Sequence, residues 1–292
     1  MGNCENAMIL SAKVCKFVES GAMEESITDY IIWKIQEWAP LEVYSINIKK
    51  FTRIEENKET GADLEIVFID SDKNLSLSLV IQAKVTVETY KRYCKEIGRN
   101  GGSQVETLIN YCVSKGKIPL YMFYSNLDVN INNFCCRSYI YTIECYTSGC
   151  ITLQSALRVK SVYKKKCQRN KKLSKYELTN WGILFSCLFC CPITQRNNPS
   201  PIEHLLEFFE IFYLDVLEKI GRDKILKKEI PEYVKKIIDK SLENELKEVL
   251  EGEENSNKNI EDTLRKYGLL YKRDNIKFYP SKILVIDLNK ER

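Results

Sequence analysis

Two short runs hold residues suited to phosphodiester chemistry: Gly61-Ala62-Asp63 and Gln82-Ala83-Lys84. Side chains at i and i+2 of a strand project from one face, so Gln82 and Lys84 point together. Carboxylate, amide and backbone carbonyl oxygens are hard ligands for Mg²⁺ or Mn²⁺. An ion so held polarises a phosphate and acidifies a water, and a lysine beside it can orient that water and offset charge on the phosphorane. Lys84 is the penultimate residue of LSLSLVIQAKV, a run otherwise rich in Leu, Val and Ile. An ammonium group there carries a desolvation cost that a carboxylate or substrate partner would offset.

These groups meet only if particular elements position them. Residues 24–38 place Ile27, Ile31, Ile35 and Trp38 at helical spacing, which predicts an amphipathic helix with Glu25 in its first turn. Residues 43–51 alternate and predict a strand; a polar turn, TRIEENKETGA, follows. Residues 64–69 predict a second strand, 70–74 a hairpin loop, and 75–85 a third strand apolar enough to be central. A helix over 104–114, led by the flexible connection GRNGGS, and an aromatic strand over 118–124 complete the set. Hairpin pairing would bring Asp63 beside Gln82 and Lys84. The first helix, burying its Ile stripe on the sheet, would bring Glu25 to the same face. Residues 126–201 yield no clear order; helical patterns resume over 201–220, 230–250 and 260–267, and a last strand is expected over 282–288.

The order helix–strand–strand–strand–helix–strand, with Glu25, GAD at 61–63 and QAK at 82–84, resembles the PD-(D/E)xK, or restriction-endonuclease-like, superfamily. The likeness is to the branch in which glutamine replaces the motif's second acid, D…QxK, as in Mrr-type restriction enzymes. EESITD, GADLE, QAK, the helix led by Gln104, PLYMFY, SCLFCC and PSKILVIDL resemble, more narrowly, a bacterial family of uncharacterised restriction-like proteins over nearly the whole chain. The resemblance implies an α/β fold: a restriction-endonuclease-like αβββαβ core with a mixed central sheet over residues 20–160, and a basic, Cys-rich and mainly helical portion over 161–292 packed on it. It implies that Asp63 binds metal, that Gln82 takes the second acid's place and that Lys84 is the catalytic lysine. Glu25 matches the helix-borne glutamate, with its neighbour Glu24 as the alternative. Asp63, Glu25 and the Ala83 carbonyl would hold Mg²⁺ (or Mn²⁺), with Gln82 assisting and Glu65 a candidate auxiliary carboxylate. Gln104 matches a helix-borne glutamine that touches phosphate or base. A neutral amide at position 82 favours one metal over two.

The resemblance sets the expected activity: metal-dependent cleavage of DNA, in restriction or anti-phage defence. The alternative is a catalytically weak nucleic-acid-binding or scaffold module that keeps the nuclease fold. The run 158–175 is basic without a single acid, so Lys164, Lys165, Lys166, Arg169, Lys171 and Lys172 are candidates for salt-dependent phosphate contacts, with Tyr163 and Tyr176 available for stacking. The plainer reading is a solvated loop. A homodimer or a partner-regulated complex fits duplex cutting.

Composition narrows the rest. Of 292 residues 44% are hydrophobic and 29% charged, which suits a globular protein with a real core and excludes wholesale disorder. No apolar run reaches membrane length and MGNCENAMIL does not read as a signal peptide, so no membrane partner and a cytoplasmic setting are expected. A net charge of +4 is too small to imply nucleic acid by itself. The single histidine, His204, excludes Cys2His2, HExxH and multi-histidine centres, and its helical context marks it as packed. The 12 cysteines then read as reduced thiols. SCLFCC has half of a zinc-site spacing but no matching half, and Leu184, Phe185, Leu188 and Phe189 around it favour buried thiols. Nucleotide-binding glycine motifs are missing, GRNGGS included.

Overall fold

The aliphatic run LSLSLVIQAKV becomes the middle of a mixed six-stranded sheet. The computed structural model describes residues 3–38, 45–70, 73–86, 97, 99–126, 150–166, 174–179, 182–190, 201–233 and 235. The elements are α1 (Asn3–Glu19), α2 (Glu24–Trp38), β1 (Ser45–Lys50), α3 (Arg53–Glu55) running on as a π-helical turn (Glu56–Thr60), β2 (Leu64–Asp70) and β3 (Leu75–Val85). There follow α4 (Arg99–Lys115), β4 (Ile118–Tyr124), β5 (Ile151–Ser155), α5 (Ala156–Lys166), α6 (Lys175–Thr179), β6 (Ile183–Leu184), α7 (Cys187–Cys190), α8 (Pro201–Phe212), α9 (Leu214–Ile220) and α10 (Arg222–Ile225).

Strand order in the sheet follows chain order, β1 to β6. β1, β2 and β3 form an antiparallel meander. β3 and β4 are parallel, a pairing that needs a crossover, and α4 lies between them in sequence. β5 and β6 return to antiparallel pairing. β3 therefore has a strand on either side and is buried along its length, as its composition predicts.

The two faces of β3 feed different cores. Leu77, Leu79, Ile81 and Ala83 join the larger cluster with Ile27, Ile31 and Ile35 of α2, Leu10 and Val14 of α1, and Phe208 and Phe209 of α8. Val80 faces the other way, with Tyr121 and Phe123 of β4, Val105 and Leu108 of α4 and Val159 of α5. Gln82 and Lys84 share the parity of Val80 and so belong to the α4 side. This is an α/β three-layer arrangement, helix on sheet on helix.

Several sequence expectations change. TRIEENKETGA is not a turn: a Thr52–Glu55 capping box starts a helical turn that widens into the π turn. GRNGGS is not a flexible connection, because Arg99 to Ser103 lie in the first turns of α4. α1 was not anticipated, and the described residues between 150 and 190 form strands and helices in a stretch whose pattern predicted no order. The 201–220 helix breaks at Tyr213, whose hydroxyl donates to the Leu153 carbonyl at 2.6 Å and accepts from Ile183 N at 3.2 Å. The boundary expected near residue 160 falls inside α5, and the larger core draws Ala7 from before residue 20 and Phe185 from after 160. The sheet needs both segments to cover it. Cys15, Cys112, Cys150 and Cys187 are buried and outside any disulfide, but Cys4 is disulfide-bonded, which corrects the all-thiol reading. Among the described residues no helix is long and apolar enough to cross a membrane. Residues 236–250 of the helix expected over 230–250, the helix expected over 260–267 and the strand expected over 282–288 lie outside the described residues.

Gly61 closes the π turn at φ +65°, and a Cβ there would sit 2.6 Å from Gln104 O and 2.8 Å from Leu108 N. Both are backbone atoms of α4, so neither can swing away. Gly61→Ala is expected to destabilise the fold by about 2 kcal/mol or more, from left-handed strain and overpacking together. Urea unfolding measures this, and an unchanged midpoint would contradict the locked turn.

Candidate active site

Asp63 stands one residue before β2, yet the ladder already holds it. Its N–H donates to Ile81 O at 2.9 Å and its carbonyl accepts from Phe51 N at 2.8 Å. With Leu64 opposite Ile81, Asp63 falls opposite Gln82. The Asp63 Oδ2 atom accepts from Ala83 N at 2.6 Å and from Gln82 Nε2 in a short contact. Gln82 Nε2 also lies 3.2 Å from the Ala83 carbonyl. Gln82 turns its own oxygen the other way, to accept from Gln104 Nε2 at 2.7 Å, and that same nitrogen donates to Glu56 Oε1 at 3.0 Å. A chain of contacts thus runs Asp63–Gln82–Gln104–Glu56 across β2, β3, α4 and the π turn.

Lys84 is 7% exposed. Its Nζ donates to Glu24 Oε1 at 2.8 Å, and Glu24 Oε2 accepts from Val85 N at 3.2 Å. The sequence expectation of Glu25 is corrected here. The Glu25 side chain is 64% exposed and lies 3.8 Å from Arg53, away from Lys84. Helix phase explains the exchange. α2 buries Ile27, Ile31 and Ile35 on the sheet face opposite Gln82 and Lys84. Only its first turn reaches the end of β3, and Glu24 lies three and four residues before Ile27 and Thr28, on the sheet-facing stripe. Thr28 anchors that turn through Tyr124 OH at 2.9 Å.

Electrostatics follow from burial. Asp63 is pushed from 3.8 up to about 7, first by burial; Lys84 and the Ala83 N–H pull it down, and Glu24 and Glu56 push it up. Tyr121, opposite Gln82 in β4, is raised by burial and then by Asp63 and Glu24. Two buried oxygens here lack a hydrogen-bond partner: Gln104 Oε1 and Tyr121 OH. The cluster is polar, and its groups are carried by α2, β3, α4, the π turn and the residue before β2.

Other expected residues lie elsewhere. Glu65 shares the strand face and pairs with Lys117 at 2.7 Å, a second buried ion pair further along β2. Gln104 is buried inside the pocket wall and touches other side chains, where the sequence suggested phosphate or base contact. The basic run is not a loop over 158–166 but helix α5. Lys164 lies 3.7 Å from Glu106, Lys166 pairs with Glu177, and Lys165 is exposed. Arg169, Lys171 and Lys172 fall outside the described residues. Tyr163 packs partly against the second core. In SCLFCC, Cys187 is buried with Leu188 and Phe189, while Cys191 lies outside the described residues. His204 is buried in α8. Glu56 was missed, because a π turn has no spacing signature and its acids look like those of any solvated loop.

Among the described residues no group of three or more His, Cys, Asp or Glu side chains is set to hold a metal ion. A hydrated Mg²⁺ needs less, one or two carboxylates with waters filling the other positions. The hard oxygens around Asp63 and the donorless Gln104 oxygen fit that simpler requirement.

Two expected outcomes test this geometry. Glu24→Gln leaves a buried Lys84 without its counter-charge and should cost about 2 kcal/mol, whereas Glu25→Gln should stay within about 0.5 kcal/mol of wild type; thermal unfolding compares them, and equal effects would reject the assignment of Glu24. Asp63 has a folded value above its ordinary one, so its ionised form is penalised by the fold. That penalty is absent near pH 4, grows towards pH 7 and is complete above it. Asp63→Asn keeps an oxygen for Ala83 N and Gln82 Nε2. It should raise stability in EDTA on the order of 2 kcal/mol at pH 8 and leave it unchanged at pH 4, read by urea unfolding at both.

No curated protein and no solved structure matches the chain. A family model described as a family of unknown function, DUF6615, matches residues 4–273, and the chain belongs to that family.

Proposed function

We propose that the protein is a metal-dependent nuclease that hydrolyses phosphodiester bonds in DNA, built on a restriction-endonuclease-like core and used in restriction or anti-phage defence. One observation carries this reading. A buried lysine held by Glu24 and a carboxylate held by Gln82 and pushed up by burial share a sheet face. A surface aspartate and an edge lysine would show neither the burial nor the linked partners.

The donors in the pocket fit a hard divalent ion. Asp63 and the Ala83 carbonyl would hold Mg²⁺ or Mn²⁺, and relief of the charge penalty on Asp63 favours its binding. When bound, the ion supplies Lewis acidity towards a phosphoryl oxygen. The chain's own groups do the rest. Lys84 presents its ammonium group to orient the attacking water and to offset charge on the phosphorane. Glu24 holds Lys84 in place through Oε1 and ties that contact to the Val85 N–H. Gln82 holds the Asp63 carboxylate in one orientation, and Gln104 in turn fixes Gln82. Lys165, on the exposed face of α5, is the described member of the basic run best disposed to meet phosphate. Lys164 and Lys166 already meet acids of the chain.

A second reading has one observation in its favour. Gln82 gives its NH₂ to Asp63, so position 82 contributes a donor and no negative charge. A nucleic-acid-binding or scaffold module with weak catalysis would tolerate that. Cleavage assays on plasmid and linear DNA with Mg²⁺, Mn²⁺ or EDTA separate the two. The nuclease reading expects metal-dependent cleavage, lowered about 100-fold or more by Lys84→Ala and by Asp63→Ala, with DNA binding kept in Lys84→Ala. Binding without cleavage in any metal would favour the scaffold.

A further inference from the structure

We propose that Glu56 is a metal-binding residue of this pocket and supplies the negative charge that position 82 lacks; the inference rests on the metal-dependent reading above. The first observation is the shared nitrogen. Gln104 Nε2 donates to Gln82 Oε1 at 2.7 Å and to Glu56 Oε1 at 3.0 Å, so one amide nitrogen bridges the two oxygens. The second is the oxygen of that amide. Gln104 is 8% exposed, and its Oε1 has no donor. A buried acceptor without a donor calls for a bound group, and a water from the hydration shell of a divalent ion supplies what it lacks.

The π turn makes Glu56 a fixed contributor. Single π turns are uncommon and gather at functional sites. This one starts from the Thr52–Glu55 capping box and ends at Gly61, whose backbone packs against Gln104 O and Leu108 N. Its position is set by α4, the same helix that carries Gln104. Charge balance agrees. Asp63 and Glu24 against Lys84 leave one negative charge. Glu56 makes two, which matches a divalent cation.

Mn²⁺ binding to the full chain, followed by electron paramagnetic resonance and by calorimetric titration, tests this without any turnover. Glu56→Gln keeps an oxygen for Gln104 Nε2 and removes only the charge. A purely structural role for Glu56 therefore predicts unchanged affinity, while a metal-binding role predicts a loss of about tenfold or more. Glu59→Gln, an exposed acid of the same turn, should bind Mn²⁺ as wild type does. Asp63→Asn should lose binding, and circular dichroism checks that each variant is folded. Should Asp63→Asn lose Mn²⁺ while Glu56→Gln retains wild-type affinity, the role of Glu56 is overturned and the metal reading survives. Wild-type protein that takes up no Mn²⁺ overturns both.

Discussion

A lysine buried near the end of an aliphatic strand needs a carboxylate within reach to offset its desolvation. Lys84 lies in the middle strand of the sheet with 7% of its surface exposed, and Glu24 meets it from the first turn of α2. The rest of the site is arranged around that requirement. α2 must cross the sheet so that its N-terminal turn arrives at the end of β3, and the same turn is pinned by Thr28 against Tyr124. Breaking such a pair costs more than forming it gains, because the surviving charge stays buried. The pair therefore constrains where α2 can sit more than it adds to stability.

The two-faced burial of β3 divides labour between the layers. One face is wholly apolar and carries α1, α2, α8 and α9. The other carries Ser76 and Ser78, is apolar at Val80 and is polar again at Gln82 and Lys84, where α4 supplies Gln104 in place of another aliphatic residue. Val80, Tyr121 and Phe123 around this polar patch exclude water from one side of it, so its charges interact through protein instead of solvent. The high value of Asp63 follows from that environment.

Much of this was legible in the residues, and the reasons differ by element. α2, β3 and β4 carry strong periodicity or near-continuous apolar runs, and their limits agree with the sequence pattern residue by residue. The pairing of Asp63 with Gln82 followed from strand alternation and a short hairpin. Glu24 against Glu25 did not, because one residue of helix phase, 100° of rotation, is decided by how the Ile stripe seats on the sheet. α1 went unread although its Leu10 and Val14 stripe is ordinary. The π turn had no signal at all, since its ENKET sequence is what a surface loop would carry. GRNGGS misled for the opposite reason: glycines disfavour a helix interior on propensity alone, yet α4 begins ahead of them.

Gln82 is the residue on which the chemistry turns. Read as a substituted acid, it looks like a lost ligand and a weakened site. Its orientation gives a different account. Gln104 can only donate through Nε2, so the Gln82 oxygen faces α4 and its NH₂ must face Asp63. A carboxylate at position 82 would stand beside Asp63 without a donor to give it, and two adjacent anions in a buried pocket raise each other's pKa. The amide removes that repulsion and turns a neighbour into a hydrogen-bond partner. On the proposed reading this leaves Asp63 as a single well-oriented strand-borne ligand, with further charge brought in from outside the strand, an arrangement suited to one hydrated ion and not to two tightly held ones.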